Sequence, residues 1–414
     1  MKNIYLTLLC LCSILSVRAQ SLDTIRFVQY NLLKYADASC LPLSTKNARL
    51  KVIFDYLRPD ILTVNEMPPN TASITSLRDN ALAFNSAMRY GYYGNSSNSD
   101  LVNMLYYNNN KLGYISHTAI TGNIRDVDIH RLYVRAATHP GDTLDFYCFT
   151  AHFKSSTGDT NIQARAATAQ DIVDWLAAHP QVKRYTISGD FNLYSSTEPA
   201  FQKLLQRFVD PSGVSNGWQG YSYSHIHTQS PADGSDPCAV TGGMDDRFDF
   251  ILASPEVYGA AGTPMHYVPG TYRAVGNDGN SYNTFLHCAG NSAVPANVCA
   301  QLSIASDHLP VALTLVAGAV TPVFTPVDDA LGFQVFGNPV YGPQARIYCS
   351  DTNTGDCNWQ ISDAAGRPLL QGEWPLAGGQ MLDLPLGNLP AGLYLVSIRT
   401  NTGQRVTLRL MRAD

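Results

Sequence analysis

Polar residues able to do chemistry stand at the ends of apolar runs in this chain. Asn31 follows RFVQY, Glu66 follows ILTVN, His152 follows FTA, and Asp190 and Asn192 follow TISG. Asp249 lies within RFDFIL, and Asp307 and His308 precede LPVAL. Strand ends are where a rigid sheet presents functional groups. One such residue is ordinarily a cap or a turn former, but this set combines four carboxylates, two carboxamides and two imidazoles. No serine or cysteine sits in a recognisable nucleophile elbow. Hard oxygen donors such as Glu66 and Asn31 suit Mg²⁺, Mn²⁺ or Ca²⁺ better than zinc. Asn192 and His152 can donate to phosphoryl oxygens. A carboxylate such as Asp249 beside His308 would fix the orientation of the imidazole, and Asp190 could accept a proton from water or orient it. Charge neutralisation, positioning and an oriented nucleophile are what hydrolysis of a phosphate ester needs.

The elements that must hold these residues alternate in type. Leu50, Ile53, Phe54 and Leu57 share a helical spacing. So do Ala169, Ile172, Val173 and Leu176, and again Phe201, Leu204, Leu205 and Phe208. Strand-like runs lie between them at Ile25–Leu32, Asp60–Val64, Asn103–Tyr107, Leu144–Ala151, Tyr185–Ser188, Phe248–Leu252 and Val311–Leu315. This order fits an α/β fold of two packed sheets flanked by helices. The stretch GAVTPVFTPVDD then breaks all periodicity, so residues 318–330 read as a linker. Short strands separated by Gly, Pro and Asn turns over 331–414 predict a small all-β sandwich. The domains expected are thus a leader at 1–19, a catalytic domain at 20–317, the linker and the β-sandwich.

Lys2 followed by an apolar stretch, with Val17 and Ala19 before Gln20, has the form of a secretory signal peptide. A spanning helix needs about 20 apolar residues, so the reading is a secreted or cell-surface protein. Its 414 residues, 45% hydrophobic and 15% charged, exclude wholesale disorder. Loss of Lys2 and Arg18 with the leader takes the formal charge from −5 to −7, which excludes a generic basic nucleic-acid coat. Seven cysteines remain after the leader, and export predicts disulfides among them. Cys349 and Cys357 flank a turn-rich segment and are expected to bridge. Cys238 is assigned to Cys288 or Cys299, and Cys148, inside an apolar run, is left as a free thiol.

GDFN at 189–192, SDH at 306–308 and the glutamate of VNEM resemble the endonuclease/exonuclease/phosphatase superfamily, over residues 24–316 and in that family's motif order. The resemblance implies a four-layered α/β sandwich and divalent-metal hydrolysis of phosphodiesters, with Mg²⁺ (or Mn²⁺ or Ca²⁺) as cofactor. It makes Asn31 and Glu66 the metal-binding pair, with Asp307 a further carboxylate beside the metal. His152 becomes the phosphate-contacting histidine, Asp190 the residue that orients water, and Asn192 a phosphate holder. Asp249 and His308 resemble the family's Asp–His pair, in which the imidazole is a base or stabilises pentacoordinate phosphorus. Asp245 and Asp246 compete with Asp249, and the Arg247-Phe248-Asp249-Phe250 pattern selects the last. Arg131 lies where relatives carry a phosphate-contacting arginine, or else is a surface charge at a strand edge.

FTAHFKSSTGDTNIQAR at 149–165 resembles secreted bacterial nucleases of the superfamily. There Lys154 attracts a phosphate backbone or remains a solvated loop residue, and Arg165 supports the loop. His117, His139, His225 and His227 lack a supporting motif and read as surface or structural. Residues 333–414, with Asp363 to Gly366 as a turn and GLYLV at 392–396, resemble the C-terminal sorting domain of type IX secretion, with a carbohydrate-binding or adhesive β-domain as the alternative. The expected partners are a nucleic-acid substrate and the secretion machinery, for a monomer. The first functional reading is a secreted nuclease on DNA or RNA. A phosphodiesterase or phosphatase on phospholipid headgroups or small phosphate esters is the second, and a non-catalytic binding protein the third.

Overall fold

The structure is a computed structural model. It describes residues 23–317 except 123, 136–143, 215–216 and 260–262, and residues 333–413 except 337–339, 342, 350–355, 365, 376–380, 388, 402 and 404. The leader at 1–19, the linker at 318–330 and His139 lie outside the described residues.

The chain forms β1 (Asp23–Asn31), α1 (Leu43–Leu57), β2 (Ile61–Met67), α2 (Thr71–Ser76), β3 (Met88–Tyr90), β4 (Val102–Asn108), β5 (Leu112–Ile120) and β6 (Val127–Val134). There follow β7 (Asp145–His152), α3 (Asp159–Ala178), β8 (Tyr185–Asp190), α4 (Pro199–Leu204), β9 (Asp249–Ala253) and α5 (Pro255–Tyr258). β10 (Met265–Tyr267), β11 (Arg273–Ala274), α6 (Ala296–Ala305) and β12 (Val311–Ala317) complete this part. One sheet has the order β10-β12-β1-β2-β4-β3, with β11 also on β12, and the other the order β5-β6-β7-β8-β9. The expected strands all form. Reading the apolar runs alone misses β6, where Asp128 and His130 share the inward face with Leu132 and Val134, and β5, of which only Leu112 and Gly113 are buried, and it misses the short β3, β10 and β11 and the helix α6.

Alternation along each strand produces four layers. Ile25 and Phe27 of β1 meet Phe146 and Cys148 of β7 and Ile251 of β9 in a core between the sheets. Val28 and Tyr30 point the other way, into a core with Leu50, Ile53 and Phe54 of α1 and Leu302 of α6. Phe149, Ile187 and Phe250 pack beneath Ala169 and Ile172 of α3 and Phe201 of α4. The chain up to residue 317 is therefore the four-layered α/β sandwich expected from the sequence.

The inter-sheet face changes character toward one end. In β1 the inward residues run Ile25, Phe27, Gln29, Asn31; in β2 they run Ile61, Thr63, Asn65; in β7 they run Phe146, Cys148, Thr150, His152. Gln29, Thr63 and Asn65 are all fully buried. Thr63 Oγ1 lies 2.8 Å from Ser188 Oγ across the sheets and donates to Gln29 Oε1 at 2.7 Å. A buried polar group is tolerated only when hydrogen-bonded, and here the two sheets supply each other's partners.

Two disulfides form, Cys40–Cys238 and Cys288–Cys299. The pairing of Cys238 with Cys288 or Cys299 is thereby corrected. The loop after β1 and the loop around Cys238 meet at the polar end of the sandwich although 198 residues separate them, a proximity that spacing along the chain does not carry. Cys148 is a buried free thiol, pushed up to about 12 by burial. The side chain of Cys349 lies outside the described residues, and with it the expected bridge to Cys357.

The C-terminal part is a separate small all-β unit. Strands Phe333–Phe336, Gln344–Cys349 and Met381–Pro385 form one sheet. The other contains Val340–Tyr341, Arg405–Ala413, Gly392–Thr400, Cys357–Asp363 and Pro368–Trp374. Trp359, Trp374, Ile347, Val396 and Leu408 fill the space between them. The Asp363-to-Gly366 turn closes through a bond from the Gly366 N–H to the Asp363 carbonyl, with Gly366 at φ +82°.

Burial, with the charge of His117 adding to it, holds the His130 imidazole down to about 3. The unfolded chain titrates near 6.5 and so binds the extra proton first on acidification. Stability should therefore fall as pH drops from 6.5 toward 3, by up to ~1.4 kcal/mol per pH unit from this residue. Urea midpoints at pH 7 and 4.5 should show a shallower acid loss for His130→Gln than for the native chain, and equal losses would contradict it.

Candidate active site

The polar end of the sandwich gathers the strand-end residues around one carboxylate oxygen. Asn31 Nδ2 donates to Asp190 Oδ2 at 3.0 Å and to Glu66 Oε1 at 3.1 Å. His152 Nε2 lies 3.4 Å and His308 Nε2 3.7 Å from Asp190 Oδ2. On its far side His308 is held through Nδ1 by Asp249 Oδ2 at 2.7 Å. Asp307 Oδ1 stands 4.0 Å from His308 Nε2, and the Asn192 N–H donates to Asp190 Oδ1 at 3.0 Å. Eight residues from five strands, the turn after β8 and the turn before β12 thus cluster at one end of the sandwich, and Asp249, rather than Asp245 or Asp246, is the partner of His308.

Local backbone features aim these groups. Strict alternation would turn Glu66 away from the second sheet. Instead the β2–β4 register shifts between Val64 and Met67 and Glu66 adopts φ +62°, so the extra residue returns Met67 to the helix-side core and brings Glu66 to the site. Non-glycine residues in this region are uncommon, and they cluster at functional sites; Asn192 at φ +49° is a second. Gly189 is required by close approach, since a Cβ there would collide with the Ala151 carbonyl oxygen of β7. Ser306 anchors the SDH turn, donating to the Asn31 carbonyl at 2.7 Å and accepting from the His308 N–H at 3.2 Å.

Negative charge is concentrated here. Burial pushes the Asp190 carboxyl up, Asp249 and Glu66 reinforce the shift, and His308 opposes it. Asp307 is likewise raised by burial. Burial works against a charge on His308, but Asp249 and Asp190 outweigh it and hold the imidazolium well above the ordinary histidine range. His152 is driven the other way by burial, Arg125 and His308, and is neutral; its Nδ1 has no partner among the described residues. Glu66, Asp190 and Asp307 are carboxylates whose mutual repulsion a divalent cation would relieve, while Asn31 turns its amide nitrogen to Glu66 and Asp190 and accepts from the Leu33 N–H through Oδ1 at 3.0 Å. The residues fit Mg²⁺, Mn²⁺ or Ca²⁺.

Arg131 is not brought to this pocket. It faces Tyr147 in the β6–β7 register, five positions back from His152, and its Nε donates to Asp145 Oδ2 at 2.7 Å. Its assignment to substrate is corrected to the strand-edge charge. Arg125, just before β6, lies within the field of the site instead: Glu66 and Asp190 act on its guanidinium, and its buried Nε has no partner among the described residues. The motif IRDVD held the signal, since an arginine preceding a strand by two residues sits at the strand end.

Lys154 lies two residues past His152, with Nζ on the Ser155 carbonyl at 3.0 Å. Its loop is clamped by buried Arg165, which donates to the Lys154 and Ser156 carbonyls and pairs with Glu198 at 2.8 Å. Arg165 thus supports the loop as the sequence suggests. Sequence reasoning also misses Gln229, whose carboxamide nitrogen is 2.9 Å from His308 Nε2. It misses Lys46, a buried ammonium on the Leu33 carbonyl within the field of Asp236, Asp307 and Glu66. His227 is structural, bonded to the Trp218 and Met244 carbonyls, and His117 pairs with Asp128 at 2.8 Å.

No family model and no curated protein matches the sequence. Among solved structures, the chain is similar to an endonuclease/exonuclease/phosphatase family protein from Bacteroides thetaiotaomicron, with 14% identity over 72% of this chain and 99% of that one and a TM-score of 0.48. It is similar to D. rerio TDP2 complexed with single strand DNA product, with 15% identity over 70% and 98% and a TM-score of 0.48. An endonuclease/exonuclease/phosphatase from Beutenbergia cavernae is matched at 14% identity over 93% and 99%, with a TM-score of 0.42. The chemistry of the pocket is read from its own geometry.

Replacing Asp249 with Asn removes the strongest support for the His308 charge. In metal-free protein the His308 ring resonances of Asp249→Asn should titrate at lower pH than the native ones, because the carboxylate that most favours the charged ring is gone. An unchanged titration would show that Asp249 does not hold the proton there.

Proposed function

We propose that the chain is a secreted, divalent-metal-dependent phosphodiester hydrolase, an endonuclease acting on extracellular DNA or RNA. The observation that carries this reading is the convergence of Asn31, His152 and His308 on Asp190 Oδ2, within whose field stands Arg125, its Nε without a partner among the described residues. Asp190 is placed to take the proton of an attacking water and to orient its lone pair. The His308 imidazolium, kept charged by Asp249, is placed against the charge that builds on a pentacoordinate phosphorus. Neutral His152, the Asn192 carboxamide and Arg125 offer donors to the remaining phosphoryl oxygens. A divalent cation held by Asn31 and Glu66, with Asp307 alongside, would supply Lewis-acid polarisation of the ester. The motif order and this geometry together support membership of the endonuclease/exonuclease/phosphatase superfamily. The leader-like first nineteen residues and the disulfides support export, and the C-terminal β-unit is read as the sorting domain that engages the type IX machinery of a monomeric enzyme.

A small phosphate ester or phospholipid headgroup is the second reading, favoured by one feature. Asp246, which like Asp190 acts on the Tyr194 hydroxyl, is pushed up to about 6 by burial and by Asp245, and such an acidic border disfavours a polyanion.

Incubation with plasmid, single-stranded DNA, RNA, sphingomyelin and an inositol phosphate in parallel decides between them, and cleavage of a nucleic acid is expected. Excess chelator should abolish turnover and Mg²⁺, Mn²⁺ or Ca²⁺ restore it; full activity in chelator would remove the metal from the reaction. Asp190→Asn and His308→Ala should each lower kcat by ~10²–10⁴-fold with unchanged thermal melting, and near-native rates would refute their roles. Arg125→Ala should cost at least ~10-fold in kcat/KM, the equivalent of one lost charge-assisted hydrogen bond, whereas Arg131→Ala should stay within about twofold. The reverse order would restore Arg131 to the substrate.

A further inference from the structure

Asn65 is fully buried on the inter-sheet face, and its carboxamide is saturated. Oδ1 accepts from Gln29 Nε2 at 2.6 Å and from the Asp190 N–H at 2.9 Å. Nδ2 donates to Asn103 Oδ1 at 2.8 Å and to the Ala151 carbonyl at 3.1 Å. Two lone pairs and two N–H groups are all an Asn side chain offers. Two of the four bonds cross from the first sheet to the backbone of the second, one at Asp190 itself and one at the residue before His152. Asn65 also immediately precedes Glu66, at the bulge that aims that carboxylate. One amide therefore links the backbone of Glu66 to those of Asp190 and His152, which pair with each other across β7 and β8 but with no strand of the sheet that holds β2. Asn103 carries the link onward, donating to the Asp126 carbonyl at 3.0 Å, next to Arg125.

We propose that Asn65 is a positioning residue of the hydrolytic site. It sets the distance between the Asn31–Glu66 side of the pocket, on one sheet, and the Asp190–His152 side, on the other. An apolar residue of similar size would fill the space but leave the Asp190 N–H and the Ala151 carbonyl unpaired, and the two sheets would settle at a different separation. Displacements of about an ångström are enough to cost ~10²-fold in rate.

The inference rests on the phosphodiesterase reading for its kinetic arm but not for its spectroscopic one. Asn65→Ala is compared with Asn108→Ala, which removes a buried amide bond of 2.8 Å to Asp60 at the opposite end of β4. With both variants assayed well below their melting temperatures, Asn65→Ala should lose ~100-fold in kcat with KM changed less than about threefold, while Asn108→Ala keeps its kcat. The assigned Asp190 amide proton should move upfield in Asn65→Ala and stay in place in Asn108→Ala. Equal kcat in the two variants at matched melting, or an unmoved Asp190 amide, would overturn the proposal. Should Asn65→Ala not fold, Asn65→Ser is measured by the same two readouts. If the native protein cleaves none of the substrates, the functional reading fails while the amide resonance still tests the link.

Discussion

The site depends on a change of character along the face where the two sheets meet. Over most of its length that face is hydrocarbon, and its burial is what holds the sheets together. At one end the same alternating positions carry Gln29, Thr63, Asn65, Asn103, Ser188 and Asp190. A polar end to an inter-sheet core would be costly if any amide or hydroxyl were left unpaired. It is tolerated because Thr63 meets Ser188 and Asn65 meets Asp190, so that each sheet satisfies the other. The contact that joins the layers is therefore also the contact that fixes the reacting groups relative to one another.

Charge is arranged on that frame with a definite asymmetry. Asp249 and Asp190 lie on opposite sides of the His308 ring, which makes a buried imidazolium stable where burial alone would neutralise it. His152, close by, is held well below the ordinary histidine range first by its burial and then by the charges of Arg125 and His308. Two histidines a few ångströms from one carboxylate oxygen thus hold different protonation states. That separation suits one to oppose developing charge and the other to donate a hydrogen bond. The acids left over, Glu66 and Asp307, together with the Asn31 carboxamide, are of the chemical type that retains a hard cation.

Much of this pocket could be read along the chain because each residue type is unusual for its place. A lone aspartate after an apolar strand is a turn former, but Glu66, His152, Asp190, Asp249 and His308 at five such ends share one chemistry. The arginine was misplaced for a physical reason: Arg125 precedes β6 while Arg131 lies within it, and only the pairing of Arg131 with Tyr147 and Asp145 reveals that it stands away from the strand ends that form the site. The half-cystines were misassigned because Cys40 and Cys238 become neighbours only when loops from distant segments meet over the same sheet edge. Strand β6 escaped notice because Asp128 and His130 interrupt the apolar alternation of its inward face, and β5 because most of it is not buried.

By itself the sequence determined the residue types at the strand ends, the alternation that makes two sheets with helices outside, and the division from a C-terminal β-unit. These are local properties, written in spacings of two and of three to four residues. Tertiary structure alone decided that Glu66 turns inward through a bulge, that Arg125 rather than Arg131 reaches the pocket, and that Asn65 holds the backbone of Asp190. Each of those depends on a register or a contact between segments far apart in the chain, set by how the two sheets pack.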